Sequence, residues 1–148
     1  MRFTGLVAAI VLILAATLLP WSNFVGHSHW NQVQWAPFDS QSFDWFDFAA
    51  NVALFVPFGH FAGSLAFALG RKNSVLLVLF AAALLSLCVE LMQIYSHSRF
   101  PSASDVSCNV LGAALGALLA ARQRPDGARN GLRSSKFSRR KSEAPIDA

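Results

Sequence analysis

Glu90, Gln93, Arg99, Asp105 and Asn109 bring acid, base, cation and amide chemistry into twenty consecutive residues of otherwise strongly apolar sequence. Two carboxylates whose surroundings separate their pKa values can serve as acid and base, which makes Glu90 and Asp105 the candidate catalytic residues. An arginine can pair with an anionic group, and Gln93 and Asn109 can supply hydrogen bonds to a polar ligand. An ionisable group in a bilayer or a dry core costs several kcal/mol unless it is partnered. The residues therefore form either a functional site or a network of hydrogen bonds and ion pairs that fixes helix packing.

The pattern has an echo earlier in the chain. Asp47-x-x-x-Asn51 repeats the spacing of Asp105-x-x-x-Asn109, and a spacing of four puts both side chains on one face of a helix. Each pair is followed by small residues at the spacing of close helix packing in lipid, Gly59-x-x-x-Gly63 and Gly112-x-x-x-Gly116. The chain thus reads as two helical hairpins related by an axis along the membrane normal. The outer ends of three helices would gather Asp47, Asn51, Glu90, Gln93, Arg99, Asp105 and Asn109 around a polar pocket.

Other chemistries are poorly represented. His27 and His29, with Asp39 or Asp44, offer only two imidazoles in a loop, and no metal site is predicted from them. Cys88 and Cys108 lack the C-x-x-C spacing and read as small packing residues. No nucleophile stands beside a base in the sequence, and no cofactor is expected.

The elements that must carry these residues are membrane helices. Of 148 residues, 54% are hydrophobic and 14% charged, with a mean hydropathy of +0.43, whereas soluble domains carry about 25% charged residues. Eight of the twelve Lys and Arg lie between Arg122 and Lys141, so the net charge of +4 belongs to the tail, and a nucleic-acid partner is excluded. The sequence predicts an all-α, four-helix transmembrane bundle of two antiparallel hairpins over residues 1–121, followed by a disordered basic tail over 122–148. The predicted helices cover about residues 3–21, 47–69, 74–95 and 105–121, each close to the length that spans a hydrocarbon core. A retained first helix is favoured over a cleaved signal peptide, because its apolar run is long and no clear cleavage site follows.

Gly70-Arg71-Lys72-Asn73 makes a tight basic turn, with Gly70 placed to end the second helix in a left-handed conformation. Ser104 is the expected cap of the fourth helix. Positive charge in that turn and in the tail predicts that both termini are cytoplasmic and that residues 22–46 and 96–104 lie outside. Residues 22–46 hold Trp30, Trp35 and Trp45 without Lys or Arg, which suits a loop anchored at the headgroup level. Pro57 is expected to kink the second helix and His60 to bond across helices.

In Asn51 with Leu54-Phe-Val-Pro-Phe-Gly59, Glu90-x-x-Gln93, Arg99, Asp105-x-x-x-Asn109 and Gly112-x-x-x-Gly116, the chain resembles the VanZ-like family of small bacterial membrane proteins, over about residues 5–121. Many members carry a further acid between the arginine and the aspartate, where this chain has Pro101-Ser-Ala-Ser104. The resemblance implies a multi-pass protein of the bacterial cytoplasmic (inner) membrane, linked to the cell envelope, the namesake being associated with reduced susceptibility to the glycopeptide teicoplanin. It implies Asn51, Glu90, Gln93, Arg99, Asp105 and Asn109 as a site, without individual roles. The favoured reading is a cofactor-free envelope factor whose outward pocket binds a lipid-linked or glycopeptide-related headgroup, with membrane lipids as further partners. A membrane enzyme acting on a lipid or envelope precursor is the first alternative. A small proton-coupled transporter subunit, working as a homo-oligomer, is the second.

Overall fold

A computed structural model describes residues 1–38, 44–71, 73–97 and 100–123. Four helices account for most of them: α1 (Arg2–Leu18), α2 (Trp45–Ala68), α3 (Ser74–Gln93) and α4 (Ala103–Arg122). Two 3-10 turns, Trp21–Asn23 and Trp30–Gln32, shape the α1–α2 connection. The described residues contain no strand, only isolated bridges pairing Phe24 with Ser96 and Gln34 with Ser102. The basic tail beyond Gln123 lies outside the described residues.

α2, α3 and α4 are each long and apolar enough to cross a membrane. α1 is shorter than the sequence predicts, with 17 residues, or about 26 Å at 1.5 Å per residue against a hydrocarbon core of about 30 Å. It stops at Leu18 rather than Trp21 because Pro20 disfavours helical geometry at the residue before it, and Leu19 is extended at φ −88°, ψ 149°. The starts of α2 and α4 each move two residues earlier for reasons of capping. α2 begins at Trp45, two residues early, because the Asp44 carboxylate accepts from the Phe46 N–H at 2.6 Å. α4 begins at Ala103 because its cap is Ser102, not Ser104: the Ser102 hydroxyl accepts from the Ser104 N–H at 3.1 Å. The Ser104 hydroxyl instead accepts from the Phe38 N–H at 2.8 Å.

At the opposite end, Gly70 takes φ +67° and closes α2. Its N–H donates to Phe67 O and the Arg71 N–H to Ala66 O, the paired bonds of a Schellman stop. The turn is short, so α3 returns alongside α2.

α2 and α4 run parallel and share the largest interface of the bundle, while α1 and α3 run the other way. A Cβ added at Gly59 would meet the Ala113 carbonyl; one at Gly112 would meet the Val52 carbonyl, and one at Gly116 the Val56 carbonyl. At Gly63 the nearest atom would be Ala117 Cα, at 3.1 Å. Both glycine pairs therefore lie on the seam where the two backbones come closest.

Side chains are distributed as in a lipid-facing bundle. The buried face of α3 holds Ser74, Val78, Ala82, Ser86, Val89, Glu90 and Gln93, whereas Leu76, Phe80, Leu84, Leu87 and Leu91 form an exposed stripe at steps of three and four. Phe55 and Ile13, both fully buried, fill the centre.

Candidate functional site

The described residues of the α1–α2 and α3–α4 connections, 19–38 and 94–97 with 100–102, pack together at one end of the bundle, called here the loop end. Backbone bonds tie them: Val25 N–H to Tyr95 O at 2.9 Å, His97 N–H to Asn23 O at 3.0 Å, and Gln34 N–H to Pro101 O at 2.9 Å. These contacts bring residues distant in sequence onto the start of α4.

Glu90 occupies the last turn of α3, 6% exposed. Its Oε2 accepts from the Ser102 N–H at 2.8 Å. The bond completes the start of α4, whose first N–H groups have no helical partner of their own. Ser102 N–H goes to Glu90, Ala103 N–H to Gln34 O at 3.0 Å, and Ser104 N–H to the Ser102 hydroxyl. Negative charge is favoured at this end of the helix dipole, and Asp105 adds a second carboxylate in the first turn. Two carboxylates from different helices thus converge on one helix start.

The amides take separate partners. Asn51 donates through Nδ2 to Asp105 Oδ1 at 2.9 Å, joining α2 to α4. Gln93 donates through Nε2 to Thr17 O at 3.0 Å, satisfying a terminal carbonyl of α1. Asn109, 2% exposed, donates to the Ser86 hydroxyl at 2.8 Å, and its Oδ1 finds no hydrogen-bond partner among the described residues. Asp47 is exposed in the first turn of α2 and does not join them. Arg99 lies outside the described residues.

Beside Glu90 is a cavity of about 250 Å³. Trp30, Val33 and Trp35 of the first connection face Leu87, Leu91 and Ile94 of α3 and its end, with Pro101, Ser102, Ala103 and Val106 on the α4 side. Among the described residues Glu90 is the only ionisable group in this lining. The cavity is apolar with one buried carboxylate in its wall, a shape suited to part of an amphiphile. Its volume lies just under the ~300–1,000 Å³ of sites that enclose a whole small ligand.

The VanZ/LLP1 family model matches residues 6–123, which include all four helices apart from the first turn of α1. The chain belongs to the VanZ/LLP1 family. No curated protein and no solved structure matches it. The VanZ/LLP1 assignment and the three long apolar helices together make it an integral membrane protein. The matched region ends at Gln123, where the described structure also ends.

Three residues of this site have no distinguishing signal in the sequence. Ser102 and Ser104 are both candidate caps of α4 in the sequence, and the position of Glu90, which accepts from the Ser102 N–H, distinguishes them. Ser86 reads as an ordinary small residue until Asn109 is placed opposite it. Trp35 resembles an interfacial anchor, yet it also walls the cavity.

Proposed function

We propose that this VanZ/LLP1 protein is a cell-envelope factor of the bacterial cytoplasmic membrane that holds a lipid-linked headgroup at its loop end. The apolar part of the ligand occupies the cavity under Trp30 and Trp35. Its polar part stands at the α4 start, where Glu90 and Ser102 offer hydrogen-bonding groups and the sequence supplies Arg99 for an anionic group. The observation that carries this reading is the apolar cavity with a buried carboxyl group in its wall, since a purely structural hydrogen-bond network has no need of an adjoining apolar cavity. The absence of Lys and Arg from residues 22–46, against the cations of the Arg71 turn and the tail, supports an outward-facing loop end with both termini cytoplasmic.

The test pairs insertion with phenotype. Glu90→Gln and Arg99→Ala variants, produced in the membrane at wild-type levels, are expected to lose the protein's effect on susceptibility to envelope-directed antibiotics. Membrane-impermeant labelling of a cysteine introduced at Ser22 is expected to occur from outside. Labelling from the cytoplasm only, or full activity in both variants, would contradict the proposal.

A further inference from the structure

Three of the chain's four histidines meet at the loop end. His27 and His29 come from the α1–α2 connection and His97 from the α3–α4 connection; one ring nitrogen from each lies within 4.8 Å of the others. The ring centroids are 4.8, 4.9 and 5.6 Å apart. The backbone enforces this meeting. His29 N–H donates to Ile94 O at 2.9 Å, Val25 N–H to Tyr95 O at 2.9 Å and His97 N–H to Asn23 O at 3.0 Å, on either side of the Phe24–Ser96 bridge.

The second observation concerns the tautomer of His29. Its Nδ1 lies 3.1 Å from Ile94 O, and a carbonyl oxygen only accepts, so Nδ1 carries the hydrogen and donates. In the neutral ring Nε2 then keeps its lone pair. A metal-binding imidazole is oriented in this way, its distal nitrogen held by a backbone carbonyl.

We propose that His27, His29 and His97 bind one divalent transition-metal ion of the zinc class, with a fourth position open to water. Imidazole suits zinc and its neighbours, and three such ligands leave the coordination incomplete. On a tetrahedral ion with Zn–N bonds of about 2.0–2.1 Å, neighbouring nitrogens stand about 3.3 Å apart. Closing the present spacing to that value requires side-chain rotation of His27 and His97, both exposed, with His29 held by its bond to Ile94. A bound ion cross-links the two connections. His29 bonds Ile94 and precedes Trp30, and both of those residues line the cavity, so the ion would also brace one cavity wall. In sequence His27-Ser-His29 is a weak pair; His97, nearly seventy residues away, converts it into a set.

The test uses the full chain in lipid nanodiscs, purified with a tag free of histidine, stripped with chelator and titrated with Zn²⁺ against a chromophoric competitor. One Zn²⁺ per chain is expected, with affinity lowered at least about 100-fold by His29→Ala and by His97→Ala, and unchanged by His60→Gln. Co²⁺ in place of Zn²⁺ is expected to give the visible bands of low-coordinate, imidazole-bound cobalt in the wild type and not in His97→Ala. Circular dichroism checks that the variants keep their helices. Substoichiometric zinc in the wild type, a cobalt spectrum of the hydrated ion, or tight binding that survives His97→Ala would overturn the proposal.

Discussion

Along the α2–α4 seam the two helices touch through backbone, with Gly59, Gly112 and Gly116 facing carbonyls that leave no room for a methyl group. Toward the loop end the same two helices are joined instead by a side-chain hydrogen bond, Asn51 to Asp105, and α4 is held to α3 by Glu90 at its start and by Asn109 to Ser86. The contrast follows from what lipid can and cannot do. Acyl chains are as apolar as leucine, so a seam in the hydrocarbon gains from close packing and little from burying more leucine. Near the headgroups, loops bring backbone donors that must be satisfied, and carboxylates and amides can meet them. The first region is closely packed, while the second leaves a cavity beside a buried carboxyl group.

Substitutions should separate the two regions by size of effect. The largest is expected at the seam. Gly112→Ala places a methyl group against the Val52 carbonyl, a backbone atom that cannot rotate away. Overpacking of this kind costs about 1–3 kcal/mol or more, seen as a lower unfolding midpoint in detergent, with Gly59→Ala similar. A glycine variant of wild-type stability would mean that the seam can open.

Glu90→Ala comes next. It removes the acceptor of the buried Ser102 N–H, an effect of about 1–3 kcal/mol, and it should also abolish ligand retention. Glu90→Gln keeps an acceptor and should recover most of the stability without recovering function. Equal stability loss in both variants would make the carboxyl group, rather than any acceptor, the structural element.

A smaller effect is expected for the amide pairs. Asn51→Ala and Asp105→Ala, combined in a double-mutant cycle, should show a coupling of about 1 kcal/mol. Replacing both Asn109 and Ser86 by apolar residues of similar size should be nearly neutral, since the pair already leaves Asn109 Oδ1 unsatisfied among the described residues. Asp47→Ala should leave the unfolding midpoint where it is, because the carboxylate is exposed.

These regions also differ in how far they can be read from sequence. Apolar runs and basic turns mark the helices, and the Schellman stop at Gly70 follows from one glycine before two cations. Spacing alone picks out Gly59, Gly63, Gly112 and Gly116. The loop end is harder to read because its contacts are long-range. Nothing local says that Ser102, rather than Ser104, meets Glu90, or that His97 returns to His27. The similarity of Asp47-x-x-x-Asn51 to Asp105-x-x-x-Asn109 places both motifs on helices of the same direction. Yet the structure uses them differently: Asn51 bonds across to Asp105, while Asp47 stays at the surface. Spacing fixes which residues share a face, whereas the crossing of two helices fixes which faces meet.

The most direct test of ligand binding at the loop end is mass spectrometry of lipids retained by the purified protein. Wild type is compared with Val106→Trp, which fills the cavity, and Leu76→Trp, which adds the same bulk to the exposed α3 stripe near the opposite end. The expected result is a defined lipid-linked species on the wild type and on Leu76→Trp, lost from Val106→Trp while the helices stay intact. An unchanged lipid complement on Val106→Trp would contradict binding in the cavity.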